Sequence, residues 1–535
     1  MYDYVIVGGG SAGCVLAARL SEDPAVSVCL LEAGPKDRHP LIHIPVGTLW
    51  LMRSKVLNWR FHTEPEPQMR SRRMFWPRGR MLGGSSSMNA MCYTRGDAWD
   101  YDHWAALGNR GWGYADVLPY FRRAEDQERG ASEFHGSGGP LHVSDFKAPS
   151  ELTRNYIRAG EQAGFPATDD FNLPHPEGVG FFQATQKRGL RWSAAKGYLK
   201  PAMSRPNLTV LTDARATRLL LEHPDGGPRA AGVEFLQGGR ARSVQARREV
   251  LLSAGAVQSP QLLMLSGIGP GAELQRHGLQ VSVDLPGVGQ NLQDHLDVMV
   301  THRGKRAKSV GMTPGNLLGG PWSLYRLVAR GEGMLTNTGA EGCGFIKSRP
   351  DEPIADLQIH FMPACLRDHG RDLRFLMRQG FTAHICYLRP KSRGEIRLHS
   401  ADPLAAPAIH ANYLSHPEDL QKMVLAVKQL RRIFAAPALD ADRGEELLPG
   451  PGVQTDQQIA DFVRSHAETI YHPVSTCKMG SDALAVVDDE LRVRGVRGLR
   501  VVDASVMPTL VGGNTNAPTI MIAEKASDLI KAAAR

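Results

Sequence analysis

The residues with the clearest chemical spacing are three glycines near the start of the chain. Gly8, Gly10 and Gly13 stand in the order G-x-G-x-x-G, and the acidic residue Glu32 follows Gly13 by about 20 residues. In this spacing the first glycine allows a tight turn, the second lets the backbone approach a pyrophosphate, and the third lets a helix pack on a strand. The acid is then placed to bind a ribose hydroxyl. The pattern predicts a site for an adenine dinucleotide.

The flanking sequence supplies the strand–helix–strand unit that such a site needs. Residues 2–7 and 26–31 are short apolar runs rich in β-branched residues, and residues 14–20 between them carry an apolar helical face. A helix that begins at the glycines points its free N–H groups and the positive end of its dipole at the phosphates. The unit predicts a Rossmann-like lobe, and by itself it leaves NAD and FAD open.

A second block of small residues lies at 83–87. Its two adjacent glycines and the following serines expose several backbone N–H groups and hydroxyls on one small surface. Such a surface suits the pyrophosphate and ring edges of a cofactor that is already held at Gly10. Apolar residues on both sides of the block favour burial over an exposed turn. We therefore expect this block to contact the same cofactor.

Length and composition describe a globular protein with more than one lobe. The chain has 535 residues, of which 42% are hydrophobic and 22% charged, and a single core does not extend over so many residues. The seven cysteines include no C-x-x-C pair. We therefore expect reduced, buried thiols in a cytoplasmic compartment and no metal site.

Net charge and apolar runs limit the partners that we expect. The net charge of +8 is modest for this length and suits either an anionic membrane surface or an ordinary mixed surface. No nucleic-acid-binding motif is present. Because no signal segment and no run of about 18 uncharged apolar residues is found, we expect no spanning helix. Contact with a membrane would be peripheral, at the cytoplasmic face of the inner membrane.

Four blocks of the sequence together resemble the glucose–methanol–choline family of flavin oxidoreductases, essentially from end to end. They are Gly8–Gly13 with Glu32, Gly83–Asn89, Gly255–Gly269, and the pair His472 and Asn516. Within this family the chain is most similar to the flavin alcohol dehydrogenases of bacterial alkane-degradation pathways, which pass electrons to membrane quinone. Choline dehydrogenases are next. The resemblance makes FAD the expected dinucleotide.

The resemblance also assigns catalysis to His472 and Asn516. Oxidation of an alcohol removes a proton from oxygen and a hydride from carbon, so a base at the oxygen and a flavin N5 facing the carbon suffice. Histidine needs the least change of pKa to act as a base near neutral pH. The Asn516 amide can hold the oxygen as negative charge develops. The expected acceptor of the electrons is a quinone or another non-oxygen acceptor.

A larger set of residues is expected, by resemblance, to hold FAD. It comprises Gly8, Gly10, Ser11, Ala12, Gly13, Glu32, Ala33, Gly83, Gly84, Ser85, Ser86, Asn89, Ala90, Met91, Ala254, Gly255, Tyr471, Asp503, Ala504, Asn514, Asn516, Pro518 and Thr519. Some family members attach FAD covalently through a histidine just before the asparagine of the second block. Here that residue is Met88, so we expect non-covalent FAD.

The substrate is implied only in outline. By resemblance, Glu341 matches a carboxylate that binds the trimethylammonium group in choline-oxidising relatives, although related aliphatic alcohol enzymes can carry an acid there too. His360 is a second candidate for the pocket wall. The leading expectation is oxidation of primary aliphatic alcohols to aldehydes. The alternatives are a choline dehydrogenase, an oxygen-using oxidase, and a non-redox relative that keeps the flavin.

Pattern and resemblance together predict an α/β fold (α+β overall) with two lobes. A Rossmann-like FAD-binding lobe is expected to comprise 1–150, 207–300 and 464–535. A substrate-binding lobe built on an antiparallel sheet is expected to comprise 151–206 and 301–463.

One segment, 312–335, allows two interpretations from the sequence. It is rich in glycine, proline and apolar residues, and it includes Trp322, Tyr325, Arg326 and Arg330. It can form a lid or a membrane-contact patch, or it can be a plain packed helix. The residue pattern favours neither.

Overall fold

The computed structural model describes residues 1–306 and 309–534, and two seven-stranded sheets organise it. The first sheet has the strand order Leu208–Leu211, Val28–Leu31, Tyr2–Val7, Arg240–Leu252, Arg229–Gln237 and Ala214–Glu222, with Leu499–Val501 paired to Arg240–Leu252. The second has the order Arg443–Leu448, Leu296–Gly304, Gly380–Tyr387, Leu357–Met362, Gly342–Ile346 and Gly178–Phe181, with Glu468–Thr469 paired to Leu296–Gly304.

The first sheet is parallel where the dinucleotide unit lies. Strand Tyr2–Val7 pairs in parallel with Val28–Leu31 on one side and with the end of Arg240–Leu252 on the other. All five residues of 3–7 are buried, as expected for a central strand that is covered on both faces. The start of Arg240–Leu252 instead forms an antiparallel meander with Arg229–Gln237. The Rossmann-like lobe that the glycine spacing predicts is thus confirmed.

The second sheet is antiparallel throughout its main path, as expected for the second lobe. The expected boundary at 300/301 is wrong in detail, because it cuts strand Leu296–Gly304, which lies entirely in this sheet. Strand Glu468–Thr469 also pairs here, although the expected division placed it in the first lobe. Both departures have one cause: a strand belongs to the sheet that completes its hydrogen bonds, and changes of composition do not mark that point.

Helices cover both sheets and connect them. The α-helices are Ser11–Leu20, Pro40–His43, Thr48–Leu51, Ala98–Ala106, Tyr114–Ala124, Glu151–Gln162, Lys200–Ala202, Gly255–Leu265, Gly271–Arg276, Pro314–Leu318, Gly320–Arg330, Leu373–Leu376, Pro417–Phe434, Asp456–His466 and Asn516–Ala533. Short 3₁₀ turns occupy Pro45–Gly47, Pro67–Met69, Gly84–Ser87, Met334–Thr336, Asp368–Gly370, Pro437–Leu439 and Ala504–Val506, and Ala195–Leu199 is a π-helix. Among the described residues, no helix is both long and apolar enough to cross a bilayer.

Short two-stranded ribbons complete the fold. They are Phe61–His62 with Phe75–Trp76, Cys92–Tyr93 with Gln183–Ala184, Glu125–Gln127 with Leu141–Val143, Gln186–Lys187 with Leu190–Arg191, Ile268–Gly269 with Val283–Asp284, and Glu395–Arg397 with Ala408–His410.

Close backbone contact at the glycines sets the geometry of the first helix. A Cβ on Gly13 would lie 1.8 Å from the carbonyl oxygen of Gly8, so helix Ser11–Leu20 rests directly on the turn. Gly8 has φ of +103°, a conformation that only glycine adopts without strain. Helix Ser11–Leu20 also packs on the closing helix, Asn516–Ala533. The C-terminal helix is thereby brought to the N-terminal phosphate-binding turn.

A buried carboxylate holds this helix pair together. Glu524 of the closing helix is fully buried and accepts hydrogen bonds from the Arg19 guanidinium at 2.9 and 2.8 Å. Arg123 and the Tyr198 hydroxyl also contact it, each at 2.8 Å. A buried carboxylate is tolerated when it is paired and hydrogen-bonded in this way. Glu524 therefore joins four segments that are distant in sequence.

Candidate active site

A cavity of about 420 Å³ is lined by residues from both sheets. Its wall includes the glycine turn at Gly8, His360 and His384 of the second sheet, and His472 and Asn514 from the C-terminal part of the chain. Cavities of this size between two layers are the usual place for a cofactor and a small substrate. The cavity is therefore the candidate active site.

Most of the residues that were predicted to hold the cofactor line this cavity. They are Gly8, Gly10, Ser11, Ala12, Glu32, Ala33, Gly84, Ser85, Asn89, Ala90, Met91, Ala254, Gly255, Tyr471, Asp503, Ala504, Asn514, Asn516 and Thr519. Within the described chain, Gly13, Gly83, Ser86 and Pro518 lie behind the wall. Ser86 supports the backbone of the second small-residue block, since its hydroxyl donates to the Gly83 carbonyl at 2.6 Å. Direct cofactor contact stays a prediction for all of them.

Bare backbone forms the part of the wall that suits a pyrophosphate. The Gly83 N–H donates to the carbonyl of Gly9 at 2.7 Å, and a Cβ on Gly84 would lie only 2.7 Å from the Cα of Gly10. A Cβ on Gly255, by contrast, would meet no atom within 4 Å. The first helix begins at the same place, with no side chain capping its N–H groups. The residues present therefore fit a dinucleotide.

Two carboxylates in the wall hold the turns around that surface. Glu32 accepts the N–H groups of Gly9 at 2.9 Å and Gly34 at 2.7 Å, and burial raises its pKa to about 7. Asp503 accepts the Gly255 N–H at 2.8 Å and the Ser259 hydroxyl at 2.6 Å. Each acid therefore fixes a glycine-containing turn in addition to facing the cavity. The sequence predicted both acids as ligands and did not show this second role.

Asp294, a buried acid just before strand Leu296–Gly304 of the second sheet, holds the loop that carries His472. Asp294 accepts the backbone N–H of His472 at 2.7 Å, and it also accepts the hydroxyls of Thr469 and Tyr413. Tyr471, just before the histidine, has φ of +73°, which is uncommon for a residue with a Cβ. Such a conformation persists where surrounding contacts determine it. Here the Asp294 contacts keep His472 in the cavity wall.

Hydrogen-bond directions determine where His472 carries its proton. His295 Nε2 lies 3.0 Å from the carbonyl oxygen of Leu388, which can only accept, so this nitrogen is protonated. Burial lowers the pKa of His295 to about 3, so the ring is neutral and its Nδ1 is an acceptor. That Nδ1 lies 3.0 Å from Nδ1 of His472, which must therefore donate. Neutral His472 is left with an unprotonated Nε2.

The environment keeps His472 in this neutral form. Burial lowers its pKa well below the ordinary value, and neighbouring His295 and His360 act in the same direction. Nε2 lies 3.2 Å from the side-chain nitrogen of Asn514, an N–H donor. This contact is the one that an unprotonated Nε2 accepts. The contacts with His295 and with Asn514 therefore indicate the same tautomer, in which Nε2 of His472 can act as a base in the cavity.

The amide that is hydrogen-bonded to His472 belongs to Asn514, whereas Asn516 was expected there, and a catalytic role for Asn516 stays a prediction. The Asn514 oxygen accepts from Gln358 at 3.0 Å and from the Thr94 hydroxyl at 3.1 Å, so its NH₂ faces the histidine. Asn516 is the first residue of the closing helix, and its oxygen accepts the Ser11 hydroxyl at 2.8 Å. Asn516 thus faces the phosphate-binding helix. The 512–519 loop turns between the two asparagines, which spacing alone does not reveal.

The two predicted substrate residues have different positions. His360 lines the cavity, and its Nε2 lies 3.4 Å from the side-chain nitrogen of Asn514. Glu341 is outside the cavity lining, and its carboxylate accepts the Ser150 N–H at 2.9 Å and the Thr153 hydroxyl at 2.7 Å. It therefore supports the first turn of helix Glu151–Gln162. Glu341 is thus not among the residues of the cavity wall, and its role in the substrate pocket stays a prediction.

Several site residues were not found from the sequence. His295 and Asp294 have no spacing that marks them in the sequence, yet they set the tautomer and the position of His472. Arg191 is buried and donates to the backbone and side-chain oxygens of Asn89 at 2.7 and 2.8 Å, which shapes the second small-residue block. A buried arginine far along the chain gives no local signal of that contact.

Comparison with known families identifies the architecture. Family models described as GMC oxidoreductase match residues 2–297 with the N-terminal part and residues 390–523 with the C-terminal part. The chain belongs to the GMC oxidoreductase family. GMC oxidoreductases bind FAD, so the dinucleotide that fits this cavity is FAD, and NAD is no longer open.

Curated GMC relatives match over nearly their whole length. An "alcohol dehydrogenase [acceptor]" of Pseudomonas putida is 49% identical over 533 residues, covering 99% of this chain and 96% of the relative. Mitochondrial choline dehydrogenase of Homo sapiens is 47% identical over 543 residues, covering 99% and 90%. Among solved structures, pyridoxine 4-oxidase from Mesorbium loti is 32% identical with a TM-score of 0.89, and 99% of each chain is covered.

Glu341→Gln should destabilise this GMC oxidoreductase without changing its substrate preference. The amide oxygen can replace Oε2, which accepts from Ser150 and Thr153, so the NH₂ group is left facing the NH₂ donor of Asn337, which should cost about 1–3 kcal/mol of unfolding free energy. Thermal unfolding measures the effect, and Glu445→Gln, at an exposed position, is the matched control. A changed ratio of choline to alcohol turnover at unchanged melting temperature would contradict this role.

Proposed function

We propose that the protein is an FAD-dependent dehydrogenase that oxidises primary aliphatic alcohols to aldehydes and passes the electrons to a quinone-type acceptor. The observation that carries the proposal is the unprotonated Nε2 of buried His472 beside the Asn514 amide, in a cavity whose other end fits a dinucleotide. The relative named alcohol dehydrogenase [acceptor] supports the same reaction class. FAD is taken to be non-covalent because Met88 occupies the attachment position.

In the proposed reaction His472 is the base and Asn514 stabilises the oxygen. The alcohol O–H proton moves to Nε2 of His472, while the C–H hydride leaves the carbinol carbon and the carbonyl double bond forms. Bound FAD supplies the hydride acceptor, at N5. The substrate hydroxyl takes the place of the Asn514 N–H at Nε2 of His472, and that freed N–H donates to the oxygen as negative charge develops, while the other N–H stays on His360. His295 Nδ1 accepts from Nδ1 of His472 throughout, which stabilises the imidazolium that results.

The cavity wall favours an uncharged substrate. Apolar side chains of its wall are Val46, Leu49, Met52, Val310, Met312, Met334, Met362, Leu366 and Leu376. The acid that resemblance offered for a trimethylammonium group, Glu341, is directed away to helix Glu151–Gln162. An alkyl chain gains free energy from transfer to such a wall, whereas a cation gains little without a carboxylate or an aromatic cage. Choline dehydrogenase is therefore the second candidate.

Steady-state turnover with a dye acceptor tests the substrate class. We expect oxidation of octanol at a kcat/KM at least tenfold above that of choline, with benzyl alcohol and polyethylene glycol as further comparisons; this factor corresponds to about 1.4 kcal/mol of transition-state binding. Turnover only on choline would establish the second candidate instead. Peroxide formation in air at the rate of dye reduction would identify an oxidase.

Substitutions at the two asparagines separate the sequence expectation from the structural one. His472→Ala should keep FAD and lose turnover by at least about 10²-fold, because the base is removed. Asn514→Ala should lose about 10²-fold in kcat with FAD retained. Asn516→Ala is the matched control and should mainly weaken FAD retention, measured by flavin absorbance after gel filtration. If Asn516→Ala lowered kcat more than Asn514→Ala does, Asn516 would be the catalytic asparagine.

We further propose peripheral contact with an anionic lipid surface through segment 312–335. Helices Pro314–Leu318 and Gly320–Arg330 leave Leu318, Trp322 and Val328 exposed by 85%, 62% and 80%. An exposed apolar helix face with arginines, here Arg326 and Arg330, is typical of interfacial helices. A quinone dissolved in the membrane would then be close to the protein. The location that we propose is the cytoplasmic face of the membrane.

The same segment also borders the cavity. Val310, Gly311 and Met312 precede the two helices and Met334 follows them, and all four line the cavity wall. The surface proposed to meet lipid is therefore continuous in sequence with the wall of the substrate site. This continuity supports a membrane surface as the partner of segment 312–335, since apolar alcohols and quinones partition into lipid and could reach the cavity from there.

Vesicle co-sedimentation tests this contact. The wild-type holoenzyme should bind vesicles containing anionic phospholipid, and the triple variant Leu318→Ser, Trp322→Ser, Val328→Ser should bind at least about tenfold more weakly, because exposed apolar area is lost. The control triple variant Leu107→Ser, Leu173→Ser, Leu404→Ser removes exposed leucines elsewhere. Equal binding of both variants, or none by the wild type, would contradict the proposal.

A further inference from the structure

A second buried group of ionisable side chains lies in the cavity wall, apart from the His472 centre. Asp297, His369 and His384 bring one ligand-type atom each within 4.8 Å of one another. One Asp297 oxygen lies 3.2 Å from Nε2 of His369, and the other is hydrogen-bonded to Nδ1 of His384. His369 and His384 both line the cavity. The proposed reaction uses none of these three residues.

The carboxylate determines the proton position on His384. Burial opposes the charge on Asp297, but His369 and His384 outweigh it and hold the pKa of Asp297 below its ordinary value. Ionised Asp297 only accepts, so Nδ1 of His384 must donate. Burial lowers the pKa of His384, which keeps the ring neutral. Its Nε2 is therefore an acceptor, and that atom is buried without a hydrogen-bond partner among the described residues.

The neighbouring strand supplies the complementary group. His360 stands directly opposite His384 in the register of strands Leu357–Met362 and Gly380–Tyr387, so their Cβ atoms are about 5 Å apart. Nε2 of His360 faces the NH₂ group of Asn514 and accepts from it. Neutral His360 therefore carries its proton on Nδ1. That atom too is buried without a partner in the described chain.

One unpartnered donor and one unpartnered acceptor thus belong to two facing histidines that both line the cavity. Buried polar atoms are nearly always paired, and leaving them unpaired is costly. A hydroxyl group satisfies both, because it accepts from His360 Nδ1–H and donates to His384 Nε2 at once. An ether oxygen or a carbonyl satisfies only His360, and an ammonium group satisfies only His384.

We propose that His360 and His384, the latter oriented by Asp297, form a binding site for a second hydroxyl group of the substrate. Nε2 of His360 faces Asn514 and the reacting centre, and Nδ1 is on the other edge of the ring, so this hydroxyl is remote from the one that is oxidised. The favoured substrates are then α,ω-diols and other long alcohols with a terminal hydroxyl. This inference rests on the proposed function and narrows its substrate class.

Matched substrates on the wild-type holoenzyme provide the first test. With a dye acceptor, kcat/KM is compared for 1-alkanols and α,ω-diols of four, six and eight carbons, after a twofold correction for the two ends of a diol. Each ω-methoxy alcohol of the same length serves as a further comparison. At the best length the diol should exceed both by at least about tenfold, because a site that is built to hydrogen-bond a hydroxyl discriminates against analogues without it.

Variants then assign the selectivity to its residues. His384→Leu should bring the diol-to-alkanol ratio to about one, whereas His384→Gln, which keeps an acceptor oxygen, should retain part of it. His302→Leu is the matched control, since His302 is a buried histidine of the same sheet that packs on Phe381 and Phe434 outside the cavity lining. The ratio is the readout, so a general loss of rate does not imitate the result.

The outcomes separate this inference from the proposed function. If no alcohol is oxidised, the proposed function fails. If alkanols, methoxy alcohols and diols are oxidised equally at every length, the hydroxyl site is refuted while the proposed function stands. A preference for diols that survives in His384→Leu would also refute it. Should His384→Leu not fold, His384→Gln and the wild-type comparison with methoxy alcohols still decide the question.

Discussion

The direction of one hydrogen bond, from His295 to the carbonyl of Leu388, is the constraint on which the active site depends. A carbonyl oxygen only accepts, so His295 must donate from Nε2 and accept at Nδ1. The adjoining Nδ1 of His472 is then the donor, and its Nε2 keeps a lone pair toward the cavity. A backbone oxygen just after strand Gly380–Tyr387 therefore determines which nitrogen of His472 carries the proton.

The same logic extends along the cavity wall. Asp297 fixes the proton of His384, and the Asn514 amide fixes that of His360. Each of four buried histidines, His295, His360, His384 and His472, therefore has one ring nitrogen that donates and one that accepts. Their rings are neutral because burial lowers their pKa values. Strand pairing in the second sheet sets their spacing, and the backbone contacts of Asp294 set the position of His472. Electrostatics and sheet register thus act together to pre-organise the site.

The parts of the fold that could be predicted are those with local causes. The glycine spacing at Gly8–Gly13 follows from close backbone approach, because a Cβ on Gly13 would lie only 1.8 Å from the carbonyl oxygen of Gly8. The boundary near 300 and the role of Glu341 could not be predicted locally. Both depend on which distant segment completes a set of hydrogen bonds: strand Gly380–Tyr387 in the first case and helix Glu151–Gln162 in the second.

The amino-acid sequence by itself determined the Rossmann-like lobe, the dinucleotide site and the importance of His472. These follow from short-range patterns whose physical requirements are met within a few residues. Tertiary structure decided that Asn514 and not Asn516 faces His472, and that His295, Asp294 and the Asp297 cluster complete the wall. The reason is that a hydrogen-bond partner is determined by position in space, and segments as distant as 295 and 472 meet only where strands Leu296–Gly304 and Glu468–Thr469 pair in the second sheet.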